Sequence, residues 1–345
     1  MEETGEAPTG GGTAPGSGAE GAAGMKRLPA PTRREAVDGV ARELAGAGEE
    51  AAVDQPRVEA QRLLCHVLGA DRAELARTGE VELSPGEAGR LARVTRRRLA
   101  GEPLQHIEGT TEFRELVLLA DERALIPRPE TEELVDRIEA WAEAGEGAGG
   151  GVRRVARRGG RDEPLLGEAL DVGTGSGAIA LSLVAEGIAG RAVGLDVSTE
   201  ALLQAAANRS GAGLSEDEVE FRVAARPVWN SVSRDERFDV VVSNPPYLTD
   251  AELEELPAQI AEHEPGEALA GGRDGLDVIR EIVDRAGAYI RPGGALFLEI
   301  GEGQGEAVRE LLDASGGWSE VEVERDLAGR ERFVRAERPE GGGQG

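Results

Sequence analysis

Beyond residue 165 the chain alternates short β-type runs with helical ones, and this alternation restricts the possible folds more than any other feature of the sequence. The β-type runs fall at 168–172, 191–196, 218–224, 238–243, 295–300 and 319–324, with helical periodicity at 177–187, 199–209, 275–290 and 304–314. A strand that returns through a helix to the next strand makes a crossover, so the strands run mostly parallel and helices cover both faces of the sheet. The expectation is an α/β fold that binds its ligand at the carboxyl ends of the strands.

The sequence before that region reads differently. From about 33 to 100 the apolar positions recur at helical spacing, as in Val37, Val40, Ala41 and Leu44, then Leu63, Leu64, Val67 and Leu68, then Leu91, Val94 and Leu99. Ser84-Pro85-Gly86-Glu87 predicts a helix start, with a capping Ser, a Pro at the first helical position and a Glu three residues after the cap. The expected organisation is a disordered tail over 1–30, a helical domain over 31–100 and a linker with a hairpin over 101–135. A Rossmann-like domain over 136–338 follows, carrying a flexible Gly- and Arg-rich loop at 145–165, and then a short tail at 339–345. Met25 is an alternative start. Arg90, Arg93, Arg96, Arg97 and Arg98 read as a solvated helix face, with a docking patch as the competing reading.

Composition narrows the chemistry. One cysteine, Cys65, rules out an internal disulfide, and with only His66, His106 and His263 beside it no metal-ligand spacing is recognisable. Cys65 and His66 sit in an apolar run and read as packing residues. A formal charge of −27 disfavours general nucleic-acid binding, which needs clustered cations. The sequence has no long apolar run and no export signal, so the expectation is a cytoplasmic, monomeric protein with no metal, no membrane partner and no direct nucleic-acid contact.

Two motifs and one residue carry chemistry. Gly173-Thr174-Gly175-Ser176-Gly177 lies between the first strand of the alternating region and a helix, where glycines let a ligand approach the backbone. By itself such a turn suits a nicotinamide dinucleotide, a phosphate or S-adenosyl-L-methionine, or is only a tight turn. The next strand ends at Asp196, whose carboxylate can accept from a ribose diol, with helix capping as a compatible role. The discriminating motif is Asn244-Pro245-Pro246-Tyr247 after the strand 238–243. Two prolines end a strand in a rigid turn, and the Asn side-chain carbonyl and a main-chain carbonyl can each accept one N–H of a planar amide or amine. That grip points to methyl transfer onto nitrogen, achieved by alignment and preorganised dipoles.

At this level the sequence resembles the peptide chain release factor N5-glutamine methyltransferases, the HemK or PrmC family. The likeness spans roughly 33–336 apart from the 145–165 loop. It rests on Gly101-Glu102-Pro103-Leu104-Gln105-His106-Ile107, Leu125-Ile126-Pro127-Arg128-Pro129-Glu130-Thr131-Glu132, Glu264-Pro265, Gly271-Gly272 with Asp274-Gly275-Leu276, Leu298-Glu299-Ile300-Gly301 with Gln304, and Asp326-Leu327-Ala328-Gly329-Arg330. The resemblance implies a class I S-adenosylmethionine-dependent methyltransferase with a seven-stranded sheet and a small helical N-terminal domain. Its implied substrate is the glutamine of the Gly-Gly-Gln loop of class 1 release factors. Gly173 to Gly177 and Asp196 then stand where the cofactor binds, Asn244 adjoins both cofactor and substrate, and Asn244 to Tyr247 form the glutamine clamp. Pro127 to Glu130 are expected to shape the linker.

Two positions depart from the family pattern. The third strand runs Phe221-Arg222-Val223-Ala224-Ala225-Arg226 without the usual acid near the adenine, and Trp229 is the candidate to supply an aromatic face there. His106 stands where the family often has Tyr, and no role as a base is implied. A ribosomal-protein glutamine methyltransferase, an adenine-N6 DNA or RNA methyltransferase, and a cofactor-binding protein without catalysis are the rival readings.

Overall fold

The computed structural model describes residues 30–48, 53–145 and 164–340. Nearly all of the expected tails and of the 145–165 loop, together with Met25, lie outside the described residues. The N-terminal helices are α1 (Arg33–Ala45), α2 (Pro56–Leu68), α3 (Arg72–Arg77), α4 (Pro85–Leu99) and α5 (Leu104–Glu108). They bury the apolar stripes read from the sequence, among them Val37, Val40, Leu44, Leu63, Leu64 and Leu91. Ser84 and Glu87 cap α4 reciprocally: Glu87 N donates to Ser84 Oγ at 3.2 Å and Ser84 N to the Glu87 carboxylate at 2.7 Å. Two expectations need correction here. Arg98 is no part of a solvated face, because it is buried and paired with Glu59 at 2.7 Å, tying α4 to α2. His66 is exposed rather than packed, whereas Cys65 is half-buried against this core as expected, and burial pushes its thiol up.

An antiparallel hairpin, β1 (Thr110–Phe113) and β2 (Leu116–Leu119), precedes α6 (Pro129–Ala144). The remaining elements are β3 (Leu166–Val172), α7 (Ala178–Ala185), β4 (Ala189–Asp196), α8 (Thr199–Gly211), β5 (Val219–Val223), β6 (Phe238–Ser243), α9 (Asp250–Glu254), α10 (Ala258–His263), α11 (Asp277–Tyr289), β7 (Ile290–Glu299), α12 (Gly305–Ser315), β8 (Glu320–Arg325) and β9 (Glu331–Glu337). Strands β3 to β9 form a seven-stranded sheet in the order β5-β4-β3-β6-β7-β9-β8. Strands β3 to β7 run parallel, and β9 is antiparallel to both its neighbours. The α/β reading therefore holds. Periodicity missed β9, because Arg332 and Arg335 interrupt its apolar set even though Phe333, Val334 and Ala336 are buried.

The topology positions the site. Succession runs from β3 outward through β4 to β5 on one side and from β6 outward on the other, so the order reverses between β3 and β6. These two strands pair in parallel, with Asp171 opposite Val242, so the glycine turn after β3 and the Asn-Pro-Pro turn after β6 emerge side by side. Ser243 Oγ donates to Val172 O at 2.6 Å and locks the two strand ends together. On the flank, Leu119 N donates to Asn208 Oδ1 at 2.7 Å and Gln204 Nε2 to Leu119 O at 2.6 Å, which fastens the hairpin to α8.

Candidate active site

Two cavities meet over the carboxyl ends of β3 and β6. One, of about 220 Å³, is lined by Gly173, Gly175, Asp196, Ala224, Val228 and Val278 among others. The second, of about 510 Å³, is lined by Gln105, Ile126, Arg128, Tyr247, Pro257 and Glu264 among others. Asn244, Pro245 and Pro246 line both, so the Asn-Pro-Pro turn stands at the junction.

The smaller cavity has the chemistry of an adenosine-bearing ligand site. At Gly173 (φ +76°) and Gly175 (φ +54°) an added Cβ would meet nothing within 4 Å, so the backbone faces open space there in a conformation suited to glycine. Asp196 accepts from Gly175 N at 2.8 Å through one carboxylate oxygen and from Ser198 N at 2.9 Å through the other. It thereby sets the turn while lining the cavity, and burial pushes its carboxyl up against those two hydrogen bonds. Leu195, Ala224, Val228 and Val278 supply an apolar wall beside this acceptor. An acceptor for a diol, an apolar wall for a base and open backbone for a chain are what S-adenosylmethionine requires.

Some expected cofactor residues lie elsewhere. Thr174, Ser176 and Gly177 are off the cavity wall: Thr174 is buried and its hydroxyl donates to Asp171 at 2.6 Å, while Asn208 Nδ2 donates to Ser176 O at 2.9 Å. They shape the turn from behind. Asp171 is wholly buried, and its carboxyl is pushed up to about 7 by desolvation against the bonds from Thr174 and Ala180 N. Trp229 does not offer its ring to the cavity. It is buried, stacked on Tyr289 with centroids 4.8 Å apart, and its indole N–H donates to Glu281 O at 2.8 Å. Its neighbour Val228 takes the wall position, at the start of the short turn 228–231.

The larger cavity is bounded by the linker and by the segment after α10. Arg128 Nη2 donates to both carboxylate oxygens of Glu264 at 2.6 Å, joining 125–128 to 264–269 across the mouth. Burial raises the Glu264 carboxyl, and the Arg128 charge opposes that shift. Tyr247 lies beneath Arg332, whose guanidinium carbon is 5.9 Å from the ring centroid. Burial, followed by the Glu299 charge, raises its phenol. At the junction Asn244 Nδ2 donates to Thr131 Oγ1 at 3.0 Å, and Thr131 Oγ1 donates to Glu299 Oε2 at 2.8 Å. Sequence reasoning gave neither Thr131 nor Glu299 a role, although a Glu within the apolar strand Ala295-Leu296-Phe297-Leu298-Glu299-Ile300 is itself a signal. His106 lines neither cavity, and burial lowers its imidazole. Among the described residues no group of three or more His, Cys, Asp or Glu is placed to hold a metal, and no helix is long and apolar enough to cross a membrane.

A doubly wound sheet with a glycine turn, a ribose-type acceptor and an Asn-Pro-Pro-Tyr turn at its switch point defines a class I methyltransferase whose cofactor is S-adenosylmethionine. Comparison with known proteins agrees: residues 35–109 match the PrmC N-terminal domain family, and residues 169–263 match a Methyltransferase domain family. Release factor glutamine methyltransferase of Deinococcus radiodurans is 39% identical over 84% of this chain and 94% of its own length. The enzymes of the same name from Moorella thermoacetica (37% identical, 90% of this chain, 99% of theirs) and Bradyrhizobium diazoefficiens (34%, 90% and 97%) are similar throughout. The chain belongs to the release factor glutamine methyltransferase family.

Proposed function

We propose that this enzyme transfers the methyl group of S-adenosylmethionine to the side-chain amide nitrogen, N5, of the glutamine in the Gly-Gly-Gln loop of class 1 release factors, acting in the cytoplasm. The observation that carries the reading is the junction itself: Asn244, Pro245 and Pro246 are the wall shared by the cavity that Gly173, Gly175 and Asp196 line and the larger one between the linker and the segment after α10. When bound, the cofactor supplies an electrophilic methyl group. Gly173, Gly175 and Asp196 would hold it, and the apolar wall around Val228 would take its base in place of an aromatic ring.

An amide nitrogen is a poor nucleophile, because its lone pair is delocalised into the carbonyl. Asn244 Oδ1 and a main-chain carbonyl of the Pro245-Pro246 pair accept its two N–H bonds and draw electron density onto the nitrogen. The rigid turn fixes its approach, and alignment of this kind supplies most of the acceleration. Transfer would break the sulfonium S–CH3 bond as the N–CH3 bond forms, the electron pair returning to sulfur and leaving S-adenosylhomocysteine, and the amide would give up one proton to solvent. Tyr247 and the Arg128–Glu264 pair shape the opening through which the loop enters.

Labelled S-adenosylmethionine offered with a purified release factor, a ribosomal protein and DNA tests this assignment. Label should appear on the release factor alone and should vanish when the Gly-Gly-Gln glutamine is replaced. Label on the ribosomal protein or on DNA would transfer the assignment to the corresponding rival.

A further inference from the structure

The Asn244 amide has two ends of nearly equal shape, of which only one accepts a hydrogen bond, so its use as a grip on N–H groups depends on which end faces the substrate. Thr131, in the first turn of α6, and Glu299, the last residue of β7, are both buried behind it. A threonine hydroxyl has a single proton. Given to Glu299 Oε2 at 2.8 Å, that proton leaves the Thr131 oxygen able only to accept, and the group it accepts from is Asn244 Nδ2 at 3.0 Å. While Glu299 is ionised it has no proton to return, so in that form the order carboxylate, hydroxyl, amide NH2 has one sense. The NH2 end is held against α6, and Oδ1 is left on the opposite side, toward the shared wall of the two cavities.

We propose that Thr131 and Glu299 are positioning residues for methyl transfer, a buried relay that holds the carbonyl end of Asn244 toward the incoming nitrogen. Glu299 is 1% exposed. Its carboxyl is pushed up to about 7, with burial the largest cause, the Thr131 hydrogen bond and the charge of Arg332 on β9 opposing it, Glu130 adding to it and Arg128 opposing it, so the ionised form prevails above about that pH. The hydroxyl thus helps keep the carboxylate in the form that orients it. A negative charge behind the amide also strengthens Oδ1 as an acceptor.

The inference rests on Asn244 gripping the substrate nitrogen, as proposed above. Transfer by the wild type is therefore measured first, and the relay is then tested on whichever substrate the wild type methylates, so the two ideas fail separately. Thr131→Val keeps the shape and removes the hydroxyl, whereas Thr131→Ser keeps the hydroxyl. Thr131→Val should lower kcat at least about tenfold, with the protein-substrate KM and the S-adenosylmethionine dissociation constant within about threefold of wild type. Thr131→Ser should stay within about threefold in kcat, and Glu299→Gln should lose kcat with cofactor binding retained. A Thr131→Val enzyme turning over at the wild-type rate would overturn the relay. So would a Thr131→Ser enzyme as slow as Thr131→Val, since shape and not the hydroxyl would then be the requirement.

Discussion

Replacing Gly275 with alanine should slow turnover far more than it weakens cofactor binding, although Gly275 lines neither cavity. Its φ is +74°, and an added Cβ would lie 2.3 Å from Tyr247 O and 2.5 Å from Gln304 Nε2. Those atoms anchor the Asn-Pro-Pro-Tyr turn: Gln304 Nε2 donates to Tyr247 O at 3.0 Å, while Leu248 N donates to Leu269 O at 3.0 Å and Gly271 N to Leu248 O at 2.8 Å. Relieving the overlap requires the Tyr247 carbonyl to move by about 1 Å, a displacement that can cost about a hundredfold in rate when reacting groups are misaligned. The left-handed backbone adds about 1–2 kcal/mol and overpacking about 1–3 kcal/mol, so the variant should lose roughly 2–5 kcal/mol of stability. A domain holding about 5–15 kcal/mol remains folded under that load unless its stability lies at the bottom of the range and the loss at the top, which a urea melt detects. Single-turnover kinetics, calorimetric titration with S-adenosylmethionine and a urea melt measure the three quantities together. A folded Gly275→Ala enzyme with near-wild-type turnover would refute the claim that the 269–275 loop holds the turn in register.

Two further outcomes follow from buried groups. Trp229→Leu should cost about 3 kcal/mol by cavity formation yet leave the S-adenosylmethionine dissociation constant within about threefold; a loss of tenfold or more in calorimetry would return the ring to the adenine site. Asp171 holds its proton more tightly in the folded protein than in the unfolded chain, with a carboxyl raised to about 7 from 3.8. An acid raised in this way contributes most to stability below about 4 and loses up to about 4 kcal/mol as pH rises to about 7. Asp171→Asn abolishes that titration, so urea melts should show the variant gaining on wild type between pH 5 and pH 8. A constant difference across that range would show that Asp171 ionises normally.

What could be read from sequence was local. The glycine turn, Asp196 and the Asn-Pro-Pro-Tyr run each announce themselves within a few residues, and strand pairing alone brings Gly173, Asp196 and Asn244 onto one wall. What escaped depends on side-chain direction or on distant pairing. Trp229 has a suitable ring at a suitable spacing, but its direction is set by α11, whose Tyr289 and Glu281 carbonyl capture it. Thr174 and Ser176 sit within the right turn yet face inward, a distinction that no spacing carries. The Asn244–Thr131–Glu299 relay spans 113 and 168 residues in its two steps, so it exists only once α6 is docked on the sheet. Strand β9 failed to register because Arg332, although buried with Nη1 donating to Ile300 O at 2.8 Å, looks like a surface residue in a pattern of hydrophobicity.

The central claim is that Asn244 acts on the incoming nitrogen rather than on the cofactor, and an Asn244→Ala enzyme tests it most directly when turnover and cofactor binding are measured on the same preparation. Loss of a single preorganised polar group at the reacting atom should reduce kcat by about a hundred- to a thousandfold, with the S-adenosylmethionine dissociation constant within about tenfold of wild type. Parallel losses in both quantities would mean that Asn244 chiefly builds the cofactor cavity, and unchanged turnover would remove the Asn-Pro-Pro-Tyr turn from the chemistry altogether.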